Sequence, residues 1–328
     1  MFISKSLRGL ACASAMFLGA ASLTAPAQAD SIVASHYGFL LNTAPIAVAI
    51  ELGEFEKRGI EIDEVISSAG GGTTMRNQIA SGSGYGVVST AAALAAFNEG
   101  HDIKIISANI MTLEHLFWVS MAGKGITSSQ DLRGMKVSYT SPRSTSETVL
   151  KAAIAASGIP EGEIEIVSLG KIGAGLAALE RDDVQAALIL EPIYSGRLGK
   201  YEIAFDLSML PRMTQTVGVT TSEFAAENPE KLRAILEARR VAVDYLYEHP
   251  VEAAKLVAKA YGEKLTEEVA INAVQRMVEI NYWGRGGFDM DGLNAMLDSL
   301  RDQGAWEGPI DWSAVLDDSF LPEDQQAK

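Results

Sequence analysis

The chain is short of cysteine and short of positive charge. Its 328 residues hold one Cys, at position 12, and 27 Lys+Arg against 42 Asp+Glu, a formal charge of -15. A single thiol cannot build an internal disulfide framework or supply a cysteine-based zinc site. The missing basic stripe removes nucleic acid from the expected partners. Histidine is equally sparse. His36, His101, His115 and His249 are scattered without HExxH or other ligand spacing, so neither a metal nor a cofactor is expected. No G-x-S-x-G elbow, Walker A loop or G-x-G-x-x-G fingerprint occurs. Gly82-Ser83-Gly84-Tyr85-Gly86 comes nearest, but it precedes a strand pattern and reads as a turn. Nothing in the motifs points to catalysis. What is present, 48% hydrophobic and 21% charged residues, is the composition of a folded globular protein. The length fits two domains or one large α/β domain.

Long hydrophobic runs are also lacking beyond residue 29. Residues 1–29 contain Lys5 and Arg8, no acid, an apolar run over 10–23 and then Pro26-Ala27-Gln28-Ala29. A basic start, a short apolar centre and small residues at an A-x-A site read as a cleavable secretory signal, with cleavage after Ala29 and export to the periplasm. The run is shorter than the ~20 apolar residues that span a bilayer. Cys12 lies near the start of that run and makes a poor lipobox. Cleavage would remove Cys12 with Lys5 and Arg8, leaving 299 residues at charge -17. Such a chain is held by its core alone.

Strand patterns over 31–37, 60–66, 85–89 and 103–109 alternate with helix patterns over 44–58, 73–81 and 90–99, the first helix stopping at Gly59. The alternation restarts with strands at 117–121, 136–139, 164–169 and 186–190 and helices at 129–133, 144–157 and 172–181. An edge strand is expected at 202–207 and another strand at 217–220. The pattern then turns helical, over 229–249, 250–261, 266–280 and 290–303, with no further strand. Pro229 and Pro250 suit first-turn positions. Repeated β-α-β units build parallel sheets, so two α/β lobes with a helical C-terminal region are expected.

In open α/β sheets ligands sit beyond the carboxyl ends of the strands. Four such ends carry unusual sequence. Gly38-Phe39-Leu40-Leu41-Asn42 offers an aromatic ring at Phe39 and an amide at Asn42, or else a hydrophobic staple. Ser68-Ala69-Gly70-Gly71-Gly72-Thr73-Thr74 lets the backbone at Gly71, Gly72 and Thr73 present N–H groups to an anion, or forms a simple capped turn. Ser89-Thr90 places two hydroxyls at a helix start, as ligand donors or as caps. Ser141-Pro142-Arg143-Ser144-Thr145-Ser146-Glu147 is the richest. Ser141, Arg143, Ser144 and Thr145 could surround an oxyanion, while Ser144 with Glu147 also fits a capping box. Glu114 and His115 fall where the chain leaves the first lobe, and Glu191, before Pro192, emerges at a strand end. Trp118, Trp283, Trp306 and Trp312 read as packing residues.

Three stretches together carry a resemblance. They are Ala44-Pro45-Ile46-Ala47-Val48-Ala49-Ile50-Glu51-Leu52-Gly53-Glu54-Phe55, Asp131-Leu132-Arg133-Gly134-Met135-Lys136-Val137, and 176–187 leading to Glu191-Pro192. In order and spacing they resemble the substrate-binding proteins of ABC importers, in the family that handles nitrate, sulfonates, taurine and thiamine-type pyrimidine precursors. The resemblance spans most of 31–260. It departs at Asp182-Asp183, where the family's turn carries Gly, and at 82–85. It implies the α/β periplasmic-binding-protein type II fold, with two lobes joined by two crossovers near 109–115 and 211–216. Lobe 1 would be 30–111 plus 215–328, and lobe 2 would be 112–214. It further implies a monomer that binds a small-molecule ligand in the cleft and hands it to a membrane permease and ATPase.

The ligand stays open at this level. A sulfonate or nitrate would suit the hydroxyls, the glycine loop and Arg143. Taurine would need Glu114 or Glu191 for its ammonium. A pyrimidine or other heterocycle would stack on Tyr37, Phe39 or Trp118. The same fold family includes pyrimidine-synthesising enzymes, marked by a Cys-rich motif with iron chemistry that this chain lacks, so no enzyme is expected. A sensor that presents its closed form to a receptor would have the same sequence features.

Overall fold

The structure, a computed structural model, describes residues 30–326. The expected signal segment, its cleavage site and Cys12 lie outside the described residues. The first half alternates as expected: β1 (Asp30–Ser35), α1 (Ala44–Glu51), β2 (Ile62–Ser68), α2 (Gly71–Ser81), β3 (Tyr85–Ser89), α3 (Thr90–Asn98) and β4 (Lys104–Ile110). The chain then crosses to β5 (Phe117–Met121), β6 (Lys136–Tyr139), α4 (Thr145–Ala156), β7 (Glu165–Ser168), α5 (Ile172–Glu180), β8 (Ala186–Ile189) and β9 (Tyr201–Phe205). It returns through β10 (Thr216–Thr220) to α6 (Ser222–Glu227), α7 (Pro229–Glu248), α8 (Pro250–Tyr261), α9 (Glu267–Glu279), β11 (Trp283–Gly286), α10 (Met290–Asp302) and α11 (Trp312–Val315).

These strands form two sheets, one of six strands in the order β11-β4-β10-β3-β1-β2 and one of five in the order β7-β6-β8-β5-β9. The chain passes between them twice, through 111–116 and 206–215. β1 pairs parallel with β2 and β3, whereas the returning β10 wedges antiparallel between β3 and β4. In the second sheet β6 runs parallel to β7 and β8, and β5 lies antiparallel between β8 and the edge strand β9. Both sheets are therefore mixed, because each crossover delivers its strand from the opposite direction.

Two expectations are corrected. The first helix does not run to residue 58; it ends at Glu51, Gly53 takes a left-handed φ of 67°, and a separate turn of 3-10 helix covers Glu56–Arg58. Strands also do not vanish after β10, since β11 pairs antiparallel with β4. Its sequence, Trp-Gly-Arg-Gly, has no alternating pattern. A Cβ on Gly284 would stand 2.8 Å from the Ala108 carbonyl oxygen, so the strand exists because glycine lets the backbones meet. The buried Arg239 of α7 donates to the carbonyls of Gly284 at 2.7 Å and Asn109 at 3.2 Å, tying the C-terminal helices to this edge. In the other sheet Trp118 stacks on Phe205 at 5.1 Å and donates from Nε1 to the Ser138 carbonyl at 2.8 Å. That tryptophan is a core residue of β5.

Candidate functional site

Four helices begin at one point between the two sheets. α2 starts at Gly71, α3 is capped by Ser89, α4 is capped by Ser144, and α5 starts at Ile172; all four residues line one cavity of about 60 Å³. A single water needs roughly 10–15 Å³ by this kind of measure, so the space suits a solute of a few non-hydrogen atoms. The convergence follows from topology. Each helix follows a strand whose carboxyl end points to the same side, and the closing approach of the sheets brings both sets of ends together.

The polar lining is neutral. Ser89 Oγ lies 2.8 Å from Thr145 Oγ1, joining a cap in one sheet's layer to the first turn of a helix in the other's. Thr140, Ser144 and Ser146 form a triangle of hydroxyls, with Thr140 Oγ1 2.8 Å from Ser146 Oγ and Ser144 Oγ 2.8 Å from Ser146 Oγ. Ser35 Oγ donates to Thr74 Oγ1 at 3.0 Å. Half-buried His36 leaves β1 with φ 59°, and its Nε2 accepts from the Gly70 N–H at 3.2 Å. Desolvation pushes its imidazole down to about 4, so the ring is neutral near pH 7 with its proton on Nδ1. Leu40, Leu116, Ile172, Leu188 and Leu190 supply the apolar wall. No Asp, Glu, Lys or Arg is among the lining residues.

A neutral lining does not make a neutral site. Each helix N-terminus carries the equivalent of about half a positive charge, and its first N–H groups have no partner within the helix. Four such ends around one space favour a negative group. Three buried side-chain atoms of the lining have no partner within the protein: Asn42 Oδ1, Gln215 Oε1 and Thr216 Oγ1.

Of the residues singled out from sequence, Asn42, Gly71, Ser89, Ser144 and Thr145 line this cavity. Gly72 does not; a Cβ there would collide with the Pro142 carbonyl oxygen. Gly71 is similarly seated, with a Cβ position 2.6 Å from Ser89 Cβ. Gly72 thus serves close approach between the two halves, and Gly71 close packing of α2 on the end of β3. Thr73 accepts from Arg76 Nη2 at 3.0 Å, and Thr90 donates its N–H to the Gln215 carbonyl at 3.0 Å; neither lines the cavity. Ser141 is buried beside Gly70, outside the lining.

Five others lie elsewhere. Phe39 is 40% exposed. Arg143 points outward to pair with Glu99, while its N–H donates to Glu147 Oε2 at 2.6 Å and Ser144 Oγ accepts from the Glu147 N–H at 3.3 Å. The capping box is therefore offset by one residue. Glu114 is exposed beside a separate cavity of about 670 Å³ at the crossovers. Glu191 is buried, accepting from the Ser195 N–H at 3.2 Å and pairing with Arg276 of α9 at 2.9 Å. His115 is buried edge-on against Tyr282, with ring centroids 4.5 Å apart and no hydrogen-bond partner on either nitrogen.

Sequence reasoning missed Ser35, His36, Thr140, Ser146, Gln215 and Thr216. The strand-end rule could have found the first three, since each ends or follows β1 or β6. Gln215 and Thr216 arrive on the returning crossover, which carries no local signal.

The sequence profile described as NMT1/THI5 like matches residues 41–253. A Brucella abortus (strain 2308) protein provisionally named a binding protein is 24% identical, over 90% of this chain and 94% of its own. Among solved structures, the alkanesulfonate-binding protein SsuA from Xanthomonas axonopodis pv. citri bound to MOPS superposes with a TM-score of 0.74 at 16% identity, over 89% of this chain and 98% of that one. The periplasmic nitrate-binding protein NrtA from Synechocystis PCC 6803 gives 0.74 at 16% identity, over 90% of each chain. A Candida albicans protein described as having the generic periplasmic binding protein fold gives 0.71 at 13% identity, over 89% of this chain and 96% of that one. The fold is shared throughout.

Proposed function

Because the chain belongs to the NMT1/THI5-like family, we propose that it is the solute-binding component of an ABC importer, binding one small anion between its lobes and delivering it to the permease. The observation that carries this reading is the meeting of four helix N-termini at one cavity with no charged side chain in its lining. Helix ends and hydroxyls hold an anion without a counter-charge that would grip it too tightly to release. The apolar wall of Leu40, Leu116, Leu188 and Leu190 suits a short hydrocarbon portion, as in a sulfonate.

The lobes of this reading are 30–111 with 215–328, and 112–214, moving about the crossovers. Closure is favoured by the ligand's contacts to both halves, and the permease reads the closed form. Export through the N-terminal segment places the protein in the periplasm as a monomer. A taurine ammonium finds no carboxylate in the lining, and Tyr37, Phe39 and Trp118, the rings a heterocycle would stack on, lie outside it. Binding rather than catalysis is also how the Brucella relative is named.

Native mass spectrometry of the exported protein, followed by thermal-shift titration after unfolding and refolding to strip carried-over solute, tests this. One bound anion per chain and stabilisation by sulfonates, nitrate or small carboxylates is expected. Stabilisation by amines or pyrimidines alone would overturn it.

A further inference from the structure

The cavity contains an acceptor whose orientation is dictated. Asn42 is 7% exposed, and its Nδ2 donates to the Ser35 carbonyl at 3.0 Å. Turning the amide over would set Oδ1 against that carbonyl oxygen, two acceptors face to face, so Oδ1 must be the atom left in the cavity. It has no partner within the protein. Gln215, 9% exposed, at the end of the returning crossover and Thr216, 3% exposed, at the start of β10 hold Oε1 and Oγ1, also unpartnered. The Gln215 backbone is held independently. Its N–H donates to the Ile110 carbonyl at 2.7 Å, and its carbonyl accepts from the Thr90 N–H and from Thr145 Oγ1. The Gln215 side chain is thus delivered to the site by a backbone already committed elsewhere.

An anion's oxygens accept hydrogen bonds and carry charge, and cannot satisfy a carbonyl oxygen. Packing Asn42 Oδ1 against an anion with no hydrogen-bond donor would leave a buried acceptor unmet and repelled. The helix ends and the Asn42 carbonyl therefore address different parts of one solute. We infer that the ligand carries an O–H or N–H donor beside its acidic group, and that Asn42 Oδ1 reads that donor. This rests on the anion-binding reading above and narrows it to hydroxylated or amide-bearing small acids. An ammonium fits less well, since the surrounding helix ends are themselves positive.

The test is calorimetric titration of the full exported chain, freed of solute by refolding, with matched pairs. The probes are 2-hydroxyethanesulfonate against ethanesulfonate, and 3-hydroxypropionate against propionate. The hydroxyl-bearing member of at least one pair is expected to bind roughly tenfold more tightly, the scale of one well-made buried hydrogen bond. Asn42→Leu is expected to abolish that preference. Equal affinity within both pairs would overturn the inference and leave the anion reading standing. So would a preference that survives unchanged in Asn42→Leu. If none of the four acids binds, the inference falls, and titration with nitrate, which has no hydrogen-bond donor, decides whether the anion reading falls with it. The wild-type comparison decides the matter even if the variant does not fold.

Discussion

Ser89 Oγ and Thr145 Oγ1 meet at 2.8 Å, each at a helix start and each from a different sheet. Ser89 also accepts from the Ala92 N–H at 3.4 Å, and Thr145 Oγ1 also reaches the Gln215 carbonyl at 3.3 Å. One hydroxyl pair therefore couples helix capping, the returning crossover and the closed cleft.

Thr145→Val keeps the shape and removes the hydroxyl. A buried hydrogen bond contributes about 1 kcal/mol net, so the bound solute should bind roughly fivefold more weakly. Unfolding of the solute-free protein should change by about 1 kcal/mol or less. Calorimetry and urea melts on the same preparation separate the two; unchanged affinity would remove this pair from the site.

Gly72→Ala places a methyl group against the Pro142 carbonyl oxygen of the facing half. Backbone cannot yield as a side chain can, so closure should suffer more than folding. The variant is expected to keep a near-wild-type melting temperature without solute and to lose at least tenfold in affinity. Small-angle scattering should report a larger radius for it with solute present. A fully closed, tight-binding variant would contradict the close-approach role.

Arg143→Ala tests whether a guanidinium holds the anion. Arg143 is exposed and paired with Glu99, and exposed pairs contribute about 0.2–1 kcal/mol. Affinity should change less than about threefold. A hundredfold loss would mean that the guanidinium enters the cavity when solute binds, and that the neutral lining is not the whole site.

Arg276→Met leaves the buried Glu191 carboxylate without its 2.9 Å partner. Stranding a buried charge costs about 3–5 kcal/mol when both members are buried; Arg276 is half-exposed, so about 1–3 kcal/mol is expected. Adding Glu191→Gln should recover part of the loss. Differential scanning calorimetry of the two variants checks both signs.

The imidazoles of buried His115 and half-buried His36 set an acid limit. Desolvation pushes His115 down to about 3 and His36 down to about 4, below the ordinary 6.5. The unfolded chain then binds protons that the folded chain does not. Stability is full above pH ~6.5, declines as pH falls toward 4 and 3, and levels off below. His115→Phe retains a ring against Tyr282 and removes one titrating site, so its stability should fall less between pH 7 and pH 4.5. Urea midpoints at both pH values measure the difference, and parallel curves for the two proteins would refute the assignment.

Much of the fold was legible because its signals are local. The run Ile60–Ile66 reads as a strand, Gly59 stops what precedes it, and Ser89 and Ser144 sit where caps belong, so the β-α-β order and most helix starts could be read directly. β11 could not, because Trp283-Gly284-Arg285-Gly286 becomes a strand only by lying against β4. Nor could the separation of Asn42 and Ser144 from Arg143 and Glu191. All four belong to suggestive strand-end sequences, and only packing turned two inward and paired the others with Glu99 and Arg276.

The scarcity of cysteine and of positive charge set by itself the expectation of no cysteine-based zinc site and no nucleic-acid partner. It also drew attention to Arg143 as the cation an anion site would want. Tertiary structure decided otherwise: it sent Arg143 to the surface and brought four helix N-termini to one cavity. Backbone dipoles have no letter in a sequence; they sum only where the chain's folding makes separate helices begin at the same place.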